Sequence, residues 1–140
     1  MAKIFMVSYG GGHVNMLSPI YQKLKENSNH TVVYLALNSS IKYFNDNELD
    51  YKELINYSHL FENNVISKIG DSMLLDNHND NLGISKELSK FSLGLNYIEL
   101  ENYLGYDDSK YIYSLFGRQS FLPIEAAKKI LLHENPDMII

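Results

Sequence analysis

The chain has 140 residues, a formal net charge of -5, 45% hydrophobic residues and no cysteine. That length suits one domain with a single core, and the lack of cysteine excludes disulfides, thiol nucleophiles and cysteine-based zinc sites. The acidic balance, without a stripe of lysine or arginine, sets nucleic acid aside as a partner.

Ile4-Phe5-Met6-Val7 is a short apolar run ended by a glycine cluster, which predicts a fully buried strand over Lys3 to Ser8. The run is too short for a secretory signal or a membrane span, so a soluble, cytoplasmic protein is expected, with the inner face of a membrane as a further place of action. After Gly10-Gly11-Gly12, residues Val14, Leu17, Tyr21 and Leu24 recur at spacings of three and four, predicting an amphipathic helix that ends at Asn27-Ser28-Asn29. Thr31 to Leu37 is a second apolar, β-branched run. Strand, glycine loop, helix and strand make a βαβ unit, whose crossover is expected to be right-handed and whose sheet is expected to be covered by helices on both faces.

From Ser39 to Leu122, Asn and Asp interrupt the periodicity, and the region reads as mostly helical. Helices are expected at Ile41 to Asn45, Lys86 to Phe91, Tyr97 to Leu104 and Ser109 to Phe116, with a polar loop from Asp76 to Gly83. Pro123 suits the first position of a last helix that Asn135-Pro136 stops. Asp137 to Ile140 then reads as the start of a buried strand, and a chain that stops there is expected to be a fragment of a longer protein.

Three glycines between a strand and a helix bring bare backbone N–H groups near a ligand, with the positive end of the helix dipole behind them, and such a loop favours anions. A P-loop requires Lys-Ser/Thr after the last glycine, where this chain has His13-Val14. A dinucleotide fingerprint requires Gly-x-Gly-x-x-Gly and an acidic residue after the second strand. Here Asn15 replaces the third glycine and Asn38 stands where the carboxylate is needed, which argues against NAD.

Gly12-His-Val-Asn-Met-Leu-Ser-Pro-Ile20 is similar to the Gly-His-Val-Asn-Pro-x-x-Pro segment that opens UDP-glycosyltransferases of the GT-B fold, with Met16 in place of the usual proline and Pro19 matching. The Gly-Gly-His form also resembles the loop of MurG-type transferases. More weakly, Gly117 to Pro123, the helix after it and Glu134 to Ile140 resemble the same region of bacterial transferases for surface polysaccharides.

The resemblance implies an α/β fold, a Rossmann-like, doubly wound, mainly parallel sheet with a helical insertion. Residues 1–140 would be the acceptor-side N-terminal domain, and the nucleotide-sugar domain would lie outside them. It implies an enzyme that moves a sugar from a nucleotide sugar to a hydroxyl or lipid-linked acceptor in cell-surface polysaccharide or glycolipid synthesis, with peripheral membrane contact and neither cofactor nor metal. The 140 residues by themselves are expected to be inactive.

His13 matches the general base, and Gly10, Gly11, Gly12 and Asn15 match the loop beside the acceptor or its phosphate. The carboxylate that orients the base would follow the strand begun at Met138. A UDP-N-acetylglucosamine 2-epimerase-like enzyme, or a non-catalytic Rossmann-like binding or partner subunit, is the alternative.

Other residues carry two readings. His13 is otherwise a capping or exposed histidine. Arg118, the single arginine, offers a fork for phosphate or an acidic sugar but equally a surface ion pair. His78, Asn79, Asp80 and Asn81 read as a solvated turn before a cation site, and His30, His59 and His133 as surface residues. Tyrosines 97, 103, 106, 111 and 113 read as core before a sugar-stacking platform.

Overall fold

The computed structural model describes residues 1–26, 29–77, 83–116 and 123–140. Strand β1 (Ala2–Ser8) leads through the glycine loop to helix α1 (Gly12–Glu26) and strand β2 (His30–Ala36). Helix α2 (Ser40–Asp46), a 3-10 turn (Leu54–Leu60) and helices α3 (Asn63–Asn77), α4 (Lys86–Leu104), α5 (Tyr106–Phe116) and α6 (Ile124–Glu134) follow, before strand β3 (Met138–Ile139). The strands form one parallel sheet in the order β2-β1-β3, with Ser8 opposite Ala36 and Phe5 opposite Ile139. This is an α/β fold with a small sheet and a large helical share.

Because side chains alternate along a strand, β1 serves two layers. On one face Met6 and Tyr34 are buried with Val14 and Tyr21 of α1 and Phe44 of α2. The Tyr34 ring lies 5.1 Å from that of Tyr21 and 4.4 Å from that of Phe44. Burial pushes the Tyr34 phenol up. On the other face Phe5, Val7 and Leu35 look toward α4 and α6.

Helix α4 is capped by Ser85, whose side chain accepts from the Leu88 N–H at 3.1 Å, and is buried nearly all round. The sequence suggests two helices here, since Ser92, Gly94 and Asn96 lower helix propensity. They are one helix, and Gly94 is needed because α3 crosses there with its backbone against α4. Helix α3 itself escapes the sequence reading: Ile66, Ile69 and Met73 hold the helical spacing, but Asn63, Asn64, Gly70 and Asp71 mask it. At the start of α6, the buried Glu99 carboxylate accepts from the Glu125 and Ala126 N–H groups at 3.0 and 2.6 Å. Losing it would leave helix-end amides unpaired, a cost of about 1–3 kcal/mol.

Two boundary expectations are corrected. Pro123 is the N-cap of α6 and not its first residue, because its extended backbone lets Glu99 do the capping. The final strand is not buried: Met138 and Ile139 are each 55% exposed, since β3 pairs with β1 along one edge and carries no strand on the other among the described residues. No helix of the described residues is long and apolar enough to cross a membrane.

A buried polar cluster joins the start of β1 to the end of α6. Glu134, 4% exposed, meets Lys3 and Lys52 at 2.8 Å each and accepts from Tyr57 Oη at 2.7 Å. Burial raises its carboxyl, but the hydrogen bonds from Lys3, Lys52 and Tyr57 prevail and hold it at about 2. Burial, then the bond to Glu134, pushes the Tyr57 phenol well above its usual range.

A depressed carboxyl contributes stability that is complete above its unfolded value and is lost as pH falls through its folded one. From pH 5 to pH 2 the stability gap between wild type and Glu134→Gln should therefore shrink by about 3 kcal/mol, read from urea unfolding midpoints. A gap constant over that range would show that the ion cluster contributes nothing.

Candidate functional site

Beyond Ser8 the chain leaves the sheet through Tyr9 and turns on Gly10 and Gly11, whose φ angles are +139° and +54°. The Gly10 carbonyl accepts from the His13 N–H at 3.2 Å and closes the turn into α1. Each glycine has its own reason. A Cβ on Gly10 would lie 2.0 Å from Ser39 Oγ, so the loop packs there against the connection from β2 to α2. Gly11 needs its left-handed backbone. Gly12 has neither constraint: its φ is ordinary and nothing lies within 4 Å of where a Cβ would be. Gly12 puts no side chain over the first turn of α1, where the helix dipole favours negative charge.

The facing connection is fixed by short-range chemistry. Asn38 adopts a left-handed conformation with φ +51°, which suits Asn better than most residues. The Leu37 N–H donates to the Ser8 carbonyl at 2.9 Å, and Ser40 Oγ donates to the Ser8 and Leu37 carbonyls at 2.8 and 2.6 Å. The ends of β1 and β2 are thus tied into one rim. Ser39 and Ser40 belong to it, and Asn-Ser-Ser directly after a buried strand is the local signal for such a connection.

His13 is the second residue of α1, and its imidazole is exposed, with no hydrogen bond or ion pair among the described residues. Asn15 is also exposed on the first turn, but residues two apart on a helix do not face each other, so it stands apart from His13. The rim therefore brings together Gly10, Gly11, Gly12 and His13. Arg118 lies outside the described residues, as do His78, Asn79, Asp80 and Asn81. Among the described residues no group of three histidine or acidic side chains is placed to hold a metal ion.

The remaining candidates resolve by burial. Tyr97 is 7% exposed and packs edge-on against Tyr113 with centroids 5.5 Å apart. Tyr103, Tyr106 and Tyr111 are 58–64% exposed, so the tyrosines divide between core and surface and form no platform. His59 and His133 are exposed as expected, yet their rings meet edge to face at 5.1 Å, a contact across 74 positions that spacing could not show.

The decisive geometric fact is where the rim sits. Strand order β2-β1-β3 means that the chain leaves β1 to one side for β2 and returns to the other side for β3. The glycine loop thus lies at the carboxyl end of the strand where the order reverses, the place where open parallel sheets bind ligands. No family model, no curated protein and no solved structure matches the chain.

Proposed function

We propose that the rim of Gly10, Gly11, Gly12 and His13 is the acceptor side of a glycosyl-transfer site on a Rossmann-like, doubly wound domain of the GT-B kind. The observation that carries this reading is the glycine loop at the strand-order reversal, with Gly12 left bare for no steric reason of the fold. The resemblance of Gly12 to Ile20 to the opening segment of UDP-glycosyltransferases supplies the chemistry. His13 Nε2 or Nδ1 takes the proton of an acceptor hydroxyl, the freed oxygen attacks the anomeric carbon, and the bond from that carbon to the diphosphate breaks. A ring nitrogen of an imidazole carries a lone pair that can accept that proton once the hydroxyl lies within hydrogen-bond reach. The positive end of the α1 dipole would meet the anionic part of the bound substrates.

In the enzymes that the loop resembles, the donor is held by a second domain, and closure over it completes the site. The test is release of nucleoside diphosphate from a panel of UDP-, GDP- and TDP-sugars with hydroxyl acceptors. The 140 residues are expected to stay at the no-enzyme rate, while the whole gene product turns over. Silence of both across the panel would rule the transfer reading out.

A further inference from the structure

His59 ends the 3-10 turn and His133 lies in the last turn of α6, yet their ring centroids are 5.1 Å apart. Both residues are exposed, and neither side chain makes a hydrogen bond or ion pair among the described residues. The chain on either side is anchored close by. Tyr57, two residues before His59, donates from Oη to Glu134, the neighbour of His133, at 2.7 Å, and both partners are buried. The fold therefore holds the two imidazoles at a set spacing.

That spacing is the one a shared metal ion requires. With zinc–nitrogen bonds of about 2.0–2.1 Å at a tetrahedral angle, two ligating rings have their centroids about 5.2 Å apart. A ring centroid lies close to the axis of its own Cβ–Cγ bond, and rotation about that bond is soft. Nitrogens of both rings can thus swing onto a common point while the centroids stay in place. His133 also stands at the C-terminal end of α6, where the helix dipole favours a cation, and exposure leaves room for water in the remaining coordination positions.

We infer that His59 and His133 form a two-nitrogen site for a divalent transition-metal ion of the zinc class, completed by water. Imidazole selects such ions over magnesium and calcium, which take oxygen ligands. The site shares no residue with the glycine rim, and the inference does not depend on the transfer reading. Because the two histidines are 74 positions apart and meet only in the folded chain, the bound ion should also stabilise the fold.

Calorimetric titration of the full chain with Zn²⁺ in a non-chelating buffer, alongside thermal unfolding, tests it. Zinc should saturate at about one ion per chain below about 1 mM and raise the melting temperature, whereas Mg²⁺ should do neither. His59→Ala and His133→Ala should each weaken zinc binding by at least about tenfold and remove the rise, and the corresponding glutamine variants serve should either alanine variant fail to fold. His30→Ala, at an exposed histidine outside the pair, should bind as wild type does. No saturation over that range, or binding that a folded variant of either paired histidine leaves unchanged, would overturn the site.

Discussion

Replacing Gly94 by alanine should destabilise the protein by about 3 kcal/mol and lower its melting temperature by roughly 10 °C, although alanine is the better helix former. The new Cβ would lie 2.0 Å from the Ile66 carbonyl oxygen and 3.1 Å from the Gly70 nitrogen. Both are backbone atoms of α3 and cannot swing away as a side chain would. The contact is reciprocal, since a Cβ on Gly70 would lie 1.9 Å from the Lys90 carbonyl oxygen. Either substitution must pry the two helices apart, and α4 anchors much of the core through Leu88, Phe91, Leu95 and Leu100.

Gly12→Ala is the matched control: its Cβ meets nothing within 4 Å, and its stability should remain within about 0.5 kcal/mol of wild type. Thermal unfolding of the two variants side by side decides the matter. A Gly94→Ala protein as stable as wild type, or more so, would mean that propensity outweighs packing and that α3 and α4 do not cross as described.

The sheet and its first crossover are legible in the chain because their signals are local. Ile4 to Val7 and Thr31 to Leu37 are apolar runs bounded by turn residues, and the face of Val14, Leu17, Tyr21 and Leu24 keeps the helical period. The glycine rim is legible for the same reason. What stayed hidden depends on distant partners. Gly94 reads as a break in a helix until Ile66 is seen against it. Nothing local in the sequence marks Glu99 and Glu134 as buried, yet both are, one capping a helix 26 residues away and the other paired with lysines 131 and 82 residues away. Polar residues at Ser89, Ser92 and Asn96 blurred the amphipathic pattern of α4 because that face borders a cavity instead of packed core.

The central claim is that His13 is a base at the end of β1, and its removal is the most direct test. Turnover of the whole gene product carrying His13→Ala should fall by about a hundredfold to ten-thousandfold, the usual contribution of a positioned base, because the glycines of the rim have no side chain that can take the proton. Folding should survive. The imidazole is exposed and bonds to nothing among the described residues, so the melting temperature should stay within a few degrees of wild type. Donor affinity should change little, since the proposed reading puts the donor on a second domain, and the loss should appear in kcat more than in KM. The decisive measurement is kcat of His13→Ala against wild type, with unfolding recorded on the same preparations: a folded variant slowed by at least about a hundredfold is the predicted result, and a folded variant with wild-type turnover would contradict the assignment.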